Sequence, residues 1–492
     1  MMLQIRMLAA ASAALLFSQA HALYPLNGVA KTPQMGWNNW NSFGCDVDEE
    51  LLISATEKLI QFGLRDAGYQ YIVLDDCWSA GRSSNGSLRA NTTRFPNGMA
   101  KVADRIHNEG FKFGMYSTAG TYTCARYAGS LGYEKQDAQT FADWGVDYLK
   151  YDNCYNEGQS GTPLITYNRY KVMSDALNST GRQVLYSLCN WGEDYPWKWA
   201  QTVANSWRMS GDIYDSFNRP DARCPCTGNE EYNCALPGFH CSAMNILNKV
   251  SHYVDKGVPH AWNDLDALEV GNGGMTDDEY KTHFTMWAAV KSALLMGNNM
   301  DKLSARDLSI LNNPAIIALG QDPKGTSAVR VWRYYVDYVD KYGQGEIQMW
   351  SGQLAGGDYF VALLNAGNKT REMNATADDI FYDAGAEGTS KESTMEWTIH
   401  DLWANRMPER VAQALIDGNS TRAASLNVTS YYYNATETSY EDGLARNDTL
   451  LLGKPVGTLS AKGAITAEVP RHGIMAYRLR MVGGGLRKRD EL

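Results

Sequence analysis

The sequence predicts a protein of the α/β class, a (β/α)8 TIM barrel followed by an all-β antiparallel sandwich domain, and three observations predict it. The chain has 492 residues, more than one ordinary hydrophobic core holds, so two domains are the default expectation. Between residues 35 and 300, apolar runs of strand type alternate with segments of helical spacing. Beyond residue 322, short strand-type runs follow one another, separated by Gly, Asn and Asp. We therefore expect a barrel at residues 23–322 and a sandwich at 323–482.

The amino terminus predicts a secretory signal peptide at residues 1–22. Arg6 precedes an apolar run at 7–17, and residues 20–22 (AHA) have the small-x-small pattern of a cleavage site. A membrane anchor is the alternative, but the run is shorter than the roughly twenty residues that span a bilayer. We expect the secretory route and no membrane association.

Eight strand-type runs follow the signal peptide. They lie at residues 35–41, 69–76, 111–117, 146–153, 183–191, 206–213, 260–266 and 292–300. Most are separated by helical segments, such as residues 48–68, whose apolar side chains fall near one face. Eight β/α repeats indicate a closed barrel with a parallel sheet. A doubly wound sheet is the alternative, but no strand is followed by GxGxxG or GxxxxGK.

Polar and aromatic residues gather at the carboxyl ends of these runs. Examples are Asp75, Lys150, Trp191 and Asp212. In a barrel these ends converge on one face, where active sites lie. A single strand-end Asp is often a helix N-cap, but the repetition over so many strands favours a site.

The second domain and the tail carry no comparable concentration of carboxylates, so the chemistry belongs to the barrel.

Residues 483–492 form a basic tail ending in RDEL, which is similar to endoplasmic reticulum retrieval signals. Lys488-Arg489 is also a dibasic site whose cleavage would remove that signal, so secretion is the favoured location.

Nine N-x-S/T sequons support passage through the secretory route, and six of them lie after residue 360. The candidate glycosylation sites are Asn85, Asn91, Asn178, Asn368, Asn374, Asn419, Asn427, Asn434 and Asn447. Their distribution predicts a glycosylated C-terminal half.

Charge and motif content exclude several function classes. The formal net charge of −10 gives no basic surface for nucleic acid. The sequence has no zinc-type CxxC pair, no HExxH and no GxSxG, so we expect neither a metal nor a cofactor. Glycoside hydrolysis needs two carboxyl groups that flank the scissile bond. Strand ends rich in Asp and Trp fit that need, because Trp faces stack on sugars while carboxylates accept hydroxyl hydrogen bonds.

Seven motifs at the predicted strand ends carry a family resemblance. They are TPQMGWNNWNSFGC (32–45), YIVLDDCW (71–78), FGMYSTAGTYTC (113–124), YLKYDNCY (148–155), SLCNWG (187–192), SWRMSGDI (206–213) and WNDLDALEVGNGGMT (262–276). Together they resemble the α-galactosidases (melibiases) of glycoside hydrolase family 27, and the insert at 218–241 resembles the fungal and yeast branch. The resemblance covers essentially the mature chain.

The resemblance implies the roles of two carboxylates. Asp152 of the KYDNC motif is the expected nucleophile, and Asp212 of the WRxxGDI motif is the expected acid/base. Because the family retains anomeric configuration, the two should lie roughly 5–5.5 Å apart. Lys150, on the same side of the strand as Asp152, is expected to favour the charged form of Asp152.

The resemblance also implies the sugar contacts. It assigns Asp75 and Asp76 to the galactose O4 and O6 hydroxyls, Trp40 to an apolar wall and Arg208 to the O2 and O3 side. Tyr116 is expected to line the pocket, and Lys150 to hydrogen-bond the sugar.

Cys189 and Trp191 lie in the loop that, by resemblance, meets the 2-position of the sugar. The bulky Trp191 favours a free 2-hydroxyl over an acetamido group, hence galactose. Relatives commonly have Met where this chain has Ala267, which is expected to enlarge the pocket.

Nine cysteines leave at least one unpaired in an oxidising compartment. The resemblance pairs Cys45 with Cys77 and Cys124 with Cys154. In the insert it pairs Cys224 with Cys241 and Cys226 with Cys234. Cys189 is then the free thiol.

The predicted function is that of a secreted, retaining exo-α-galactosidase acting on terminal non-reducing α-D-galactose. The expected substrates are oligosaccharides of the melibiose and raffinose type and the side chains of galactomannan polysaccharides. The alternatives are a related α-N-acetylgalactosaminidase or β-L-arabinopyranosidase, or a non-catalytic galactose-binding lectin. The sequence predicts no oligomeric state.

Overall fold

A computed structural model describes residues 27–220, 241–382 and 390–482. The predicted signal peptide and the RDEL tail lie outside the described residues. So do Cys224, Cys226 and Cys234 of the predicted insert disulfides, whereas Cys241 is described and is disulfide-bonded.

All eight predicted barrel strands are confirmed. They are β1 (Met35–Asn38), β2 (Tyr71–Val73), β5 (Lys112–Thr118), β6 (Tyr148–Asp152), β7 (Leu185–Cys189), β8 (Ser206–Arg208), β9 (Trp262–Asp264) and β10 (Leu294–Met296). They pair in parallel in the order β10-β1-β2-β5-β6-β7-β8-β9. A parallel bridge between Leu268 and Met296 joins the chain just after β9 to β10, so the sheet closes on itself. A hairpin of β3 (Ser79–Arg82) and β4 (Leu88–Ala90) follows β2.

Helices alternate with the barrel strands along the chain. They are α1 (Trp40–Phe43), α2 (Glu49–Gln61), α3 (Met99–Asn108), α4 (Glu134–Asp143), α5 (Pro163–Ser179), α6 (Ala243–Val250), α7 (Asp277–Ala289), α8 (Ala305–Leu311) and α9 (Pro314–Gly320). The bounds of helix α2 follow from its sequence. The Asp48 side chain caps its amino end by accepting a hydrogen bond from Leu51 N at 2.8 Å. Leu52 and Leu59 are buried on the predicted face. The helix ends before Gly63, whose φ of 74° suits glycine.

The second domain is built from antiparallel strands, as predicted. They are β11 (Val329–Tyr335), β12 (Glu346–Gln353), β13 (Tyr359–Asn365), β14 (Arg371–Thr376), β15 (Trp397–Asp401), β16 (Lys454–Leu459), β17 (Ala464–Val469) and β18 (Gly473–Met481). A six-stranded sheet, β11-β12-β13-β18-β15-β16, packs against the β14-β17 pair. Their shared core includes Trp397 and Leu479 from the larger sheet and Met373 and Ile465 from the smaller one.

The domain also contains helices that the sequence interpretation did not include. They are α10 (Ala377–Ile380), α11 (Glu409–Ile416), α12 (Ser420–Ser425), α13 (Tyr440–Ala445) and α14 (Thr449–Leu452). The last four lie between β15 and β16, and Val411, Leu444 and Leu451 belong to the barrel's hydrophobic core cluster. The apolar residues of this connection therefore pack against the barrel rather than between the two sheets. Among the described residues, none of the helices is long and apolar enough to cross a membrane.

Candidate active site

Two adjoining pockets open at the carboxyl ends of the barrel strands. The outer pocket is lined by Trp40, Asn41, Asp75, Tyr116, Cys124, Lys150, Asp152, Trp191, Arg208, Asp212 and Asp266. The inner pocket is lined by Asn38, Asn41, Tyr148, Lys150, Ser187, Cys189, Arg208, Asp264, Asp266, Ala267 and Leu295. Eight of the ten predicted sugar-site and catalytic residues line the outer pocket, and Cys189 lines the inner one.

Asp152 ends strand β6 and is 5% exposed. Its Oδ2 accepts a hydrogen bond from the Tyr116 hydroxyl at 3.0 Å, and its Oδ1 accepts from Asn153 N at 2.8 Å. Burial raises the pKa of Asp152 to about 7, and the charge of Asp212 adds to that rise. The charge of Lys150 lowers the pKa, as expected, but burial outweighs it.

Lys150 forms its direct ion pair with Asp75 rather than with Asp152. Its Nζ donates to Asp75 Oδ2 at 2.7 Å, and Asn38 Nδ2 donates to the same oxygen at 2.8 Å. Burial disfavours the ammonium, but the charges of Asp75 and Asp152 outweigh burial and hold the pKa of Lys150 well above its ordinary value. Lys150 is therefore a cation that pairs with Asp75 and is stabilised electrostatically by Asp152.

Asp76 is the one predicted site residue that lines neither pocket. Its Oδ1 accepts from Cys77 N at 2.7 Å, and its Oδ2 accepts from Ala125 N at 2.9 Å. Burial raises its pKa, and these two bonds oppose the rise. In this structure Asp76 joins the end of β2 to the loop that carries Cys124.

Arg208 ends strand β8 and holds two carboxylates. Its Nη2 donates to Asp212 Oδ1 at 2.8 Å and lies 2.6 Å from Asp266 Oδ2. Asp266 Oδ2 also accepts from Ile213 N at 2.8 Å, so it anchors the backbone next to Asp212. The Asp212 side chain is 45% exposed. The site thus has a buried carboxylate, Asp152, and a carboxylate at the mouth that a leaving group can reach.

Trp191 and Cys189 close another side of the site. Trp191 lines the outer pocket with a backbone φ of 55°, and Trp40, at the start of α1, lines it as well. Cys189 is buried and free, as predicted. Arg208 Nη1 donates to its Sγ at 3.5 Å, and burial raises the pKa of the thiol well above its ordinary value. The thiol is therefore neutral.

Disulfides Cys45–Cys77 and Cys124–Cys154 confirm the two predicted bridges beside the site. Within the described ranges, one cluster has metal-ligand geometry, and it consists of Cys124, Asp152 and Cys154. Because its two cysteines are bonded to each other, they offer no thiolates to a metal.

Asp264, Asp266 and Asn41 are site residues that the sequence interpretation did not assign. The first two stand in the WNDLD motif and the third in WNNWN, so the signal was present at the strand ends. Burial raises the pKa of Asp264 to about 6. Tyr148 and Ser187 could have been found from the alternation of side chains along a strand. Tyr148 shares one face of β6 with Lys150 and Asp152, and Ser187 shares one face of β7 with Cys189.

Asn41 connects the pockets to a buried carboxyl group behind them. Asn41 Nδ2 donates to Glu269 Oε1, and Asn272 Nδ2 donates to Glu269 Oε2 at 2.6 Å. Glu269 is 2% exposed, and burial raises its pKa to about 8. Glu269 is therefore largely protonated at neutral pH.

Known proteins share this arrangement of domains. The family model described as Alpha galactosidase A matches residues 32–224 and 239–322, and the model described as Alpha galactosidase C-terminal beta sandwich domain matches 344–431. An α-galactosidase of Lachancea cidri is 57% identical over 454 residues, covering 92% of this chain and 95% of that protein.

Solved structures are similar over the same length. The structure of an α-galactosidase from Saccharomyces cerevisiae is 56% identical with a TM-score of 0.89, covering 92% of this chain and 99% of that one. A structure of α-galactosidase from the same yeast with raffinose is 55% identical with a TM-score of 0.88 and the same coverage.

Proposed function

The chain belongs to the α-galactosidases (melibiases) of glycoside hydrolase family 27, fungal and yeast branch, and from this premise we propose that it is a retaining exo-enzyme. It removes terminal non-reducing α-D-galactose from oligosaccharides of the raffinose and melibiose type and from galactomannan side chains. The observation that carries the proposal is the pair of carboxylates in one pocket, Asp152 buried and Asp212 half-exposed. The relative solved with raffinose supports the substrate class.

In the first step, an Asp152 oxygen attacks the anomeric carbon while the bond to the leaving oxygen breaks. The bonding electron pair goes to the leaving oxygen, which takes a proton from Asp212. The product is a covalent galactosyl ester on Asp152. Tyr116 and Asn153 N hydrogen-bond the Asp152 carboxylate, so they orient it for the attack.

In the second step, water replaces the leaving alcohol at the mouth of the pocket. Asp212, now ionised, takes a proton from the water as its oxygen attacks the anomeric carbon, and the ester bond to Asp152 breaks. Asp152 regains its negative charge and galactose leaves with its original α configuration. Arg208, which bonds Asp212 at 2.8 Å, keeps that carboxylate in place through both steps.

Selectivity for galactose rests on charged groups that a sugar hydroxyl can pair with. Asp75 and Lys150 line the outer pocket as an ion pair, and the proposal places the O4 and O6 hydroxyls against these two residues. A sugar epimer that leaves such a buried group without a hydrogen-bond partner should lose about 1–3 kcal/mol of binding free energy. In this proposal the Trp191 wall of the outer pocket excludes an acetamido group at the 2-position.

The test is a panel of nitrophenyl α-galactoside, α-N-acetylgalactosaminide and β-L-arabinopyranoside. We expect the first to be hydrolysed with the highest kcat/KM; a preference for either of the others assigns the enzyme to that activity, and no turnover indicates a lectin.

Asp152→Asn should lose at least about a thousandfold in kcat, while the exposed Asp175→Asn on helix α5 is the matched control. An Asp152→Asn enzyme that keeps more than about a hundredth of wild-type turnover would show the nucleophile assignment wrong.

We also propose that the protein is a secreted glycoprotein. The candidate sequons support this, since seven of the nine asparagines are exposed and Asn91 and Asn434 are partly exposed. Treatment of the protein from culture medium with peptide N-glycosidase should lower its mass. Recovery of the full-length protein only from cells, with RDEL intact, would contradict secretion.

A further inference from the structure

The loop that carries Trp191 has an unusual backbone. Trp191, Gly192, Asp194 and Tyr195 have φ values of 55°, 79°, 55° and 57°, so four of five consecutive residues lie in the left-handed region. Three of them are not glycine, and such conformations persist only where surrounding contacts fix them. The loop forms one side of the outer pocket through Trp191, so what fixes the loop also fixes that wall.

Glu193, in the middle of the loop, reaches the residue after Asp152. Asn153 Nδ2 donates to Glu193 Oε2 at 2.6 Å. Within the loop, Asn190 Nδ2 donates to Glu193 O at 2.6 Å, which holds the backbone on either side of Trp191. Glu193 does not line either pocket, so it acts on the sugar site only through its neighbours.

Asn153 is itself held on both sides. Its backbone N donates to Asp152 Oδ1 at 2.8 Å, and its Oδ1 accepts from Arg169 Nη2 at 2.5 Å. Asn153 and Arg169 are 1% and 4% exposed. A continuous set of contacts therefore runs from the Trp191 loop through Glu193 and Asn153 to the carboxylate of Asp152.

Lys249, on helix α6, supplies a buried cation beside the loop. A Cβ added to Gly192 would lie 3.2 Å from Lys249 Nζ and 2.4 Å from Met209 O, so the loop packs against Lys249 and the chain just after Arg208. Burial lowers the pKa of Lys249 to about 8, and the charge of Glu193 opposes that effect. Burial and the charge of Asp194 hold the pKa of Glu193 above its ordinary value, against the opposing effects of Asn153, Arg169 and Lys249.

We propose that Glu193 is a positioning residue that joins the Trp191 wall to the nucleophile strand and so sets the width of the sugar pocket at the 2-position. The inference rests on the proposed function of Asp152 and Trp191. With the link cut, Trp191 moves independently of Asp152, which weakens binding of galactosides and relaxes the exclusion of a 2-acetamido group. The fall in kcat should be smaller than the rise in KM, because Glu193 does not contact the reacting atoms.

The test compares Glu193→Ala, Glu193→Gln and a control, Glu157→Ala, an exposed carboxylate on the neighbouring loop after β6. Glu193→Ala should raise KM for nitrophenyl α-galactoside about tenfold, since losing one hydrogen bond to a charged group corresponds to about that factor. Its preference for the galactoside over the N-acetylgalactosaminide should fall. Glu193→Gln keeps an oxygen that can accept from Asn153 Nδ2, so its KM should be close to that of wild type. The control variant should have the wild-type KM and selectivity.

Three outcomes overturn the inference. One is a Glu193→Ala enzyme whose KM and selectivity stay within twofold of wild type. Another is a Glu193→Gln enzyme as impaired as Glu193→Ala. The third is strict additivity of Glu193→Ala with Trp191→Ala, because linked residues should show coupled effects on KM. If Glu193→Ala does not fold, Glu193→Asp, whose shorter side chain withdraws the carboxylate from Asn153 Nδ2, is measured in the same way. An inactive wild type would instead refute the proposed function.

Discussion

Glu269 should make the protein less stable as the pH rises from 5 to 8. Its pKa in the folded protein is about 8, against 4.5 for the ordinary group. The folded state therefore binds the proton more tightly than the unfolded chain. The stabilisation is fully present below pH 4.5 and is lost as the pH rises through the folded pKa. Each pH unit between the two values costs about 1.4 kcal/mol, or about 4 kcal/mol from pH 5 to 8.

Glu269→Gln isolates this contribution, because glutamine has the same shape and does not titrate. At pH 5 the variant should be less stable than wild type by about 1 kcal/mol, since the new amide meets the Asn41 or Asn272 amide and one hydrogen bond is lost. At pH 8 the order should reverse.

The assay is differential scanning calorimetry at both pH values. With about 2 °C per kcal/mol for a domain of this size, the wild-type Tm should fall by roughly 6–8 °C more than that of the variant. Parallel falls in Tm for the two proteins would refute the reasoning, because they would show that Glu269 is ionised throughout or does not differ between the folded and unfolded states.

Three further predictions concern the site. Asp212→Asn should lose most of its kcat on raffinose but far less in the first step on a dinitrophenyl galactoside, whose leaving group needs no proton; equal losses would contradict the acid role. Replacing both Cys124 and Cys154 by Ser should cost about 3–4 kcal/mol and lower the Tm, and an unchanged Tm would contradict the bridge's contribution. Trp191→Ala should gain activity on the N-acetylgalactosaminide, and a continued absence of that activity would exclude Trp191 as the selectivity wall.

The barrel could be predicted from the sequence because its signals are local. Each strand is a short apolar run with polar residues at its carboxyl end, and a barrel brings those ends together. The same rule predicts that Asp75, Asp152 and Asp212 lie together, and all three line the outer pocket. The helices between β15 and β16 could not be predicted in this way, since their apolar side chains pack against a distant part of the chain.

The electrostatics of the site were harder to predict. The sequence spacing correctly placed Lys150 on the same face as Asp152, but it did not reveal that the ammonium pairs with Asp75 or that burial dominates the pKa of Asp152. Both depend on how deeply the strand end is covered. The bond between Glu193 and Asn153 joins two loops forty residues apart, and no periodicity marks it.

The most direct test of the account is to trap the galactosyl-enzyme with a slow fluorinated galactosyl substrate. After reduction and trypsin digestion, mass spectrometry should find one added fluorogalactosyl group on the peptide of residues 151–169, attached to Asp152. Asp152→Asn should show no label. A label on another carboxylate, or a protein that turns over substrate while no covalent adduct forms, would contradict the double-displacement mechanism with Asp152 as its nucleophile.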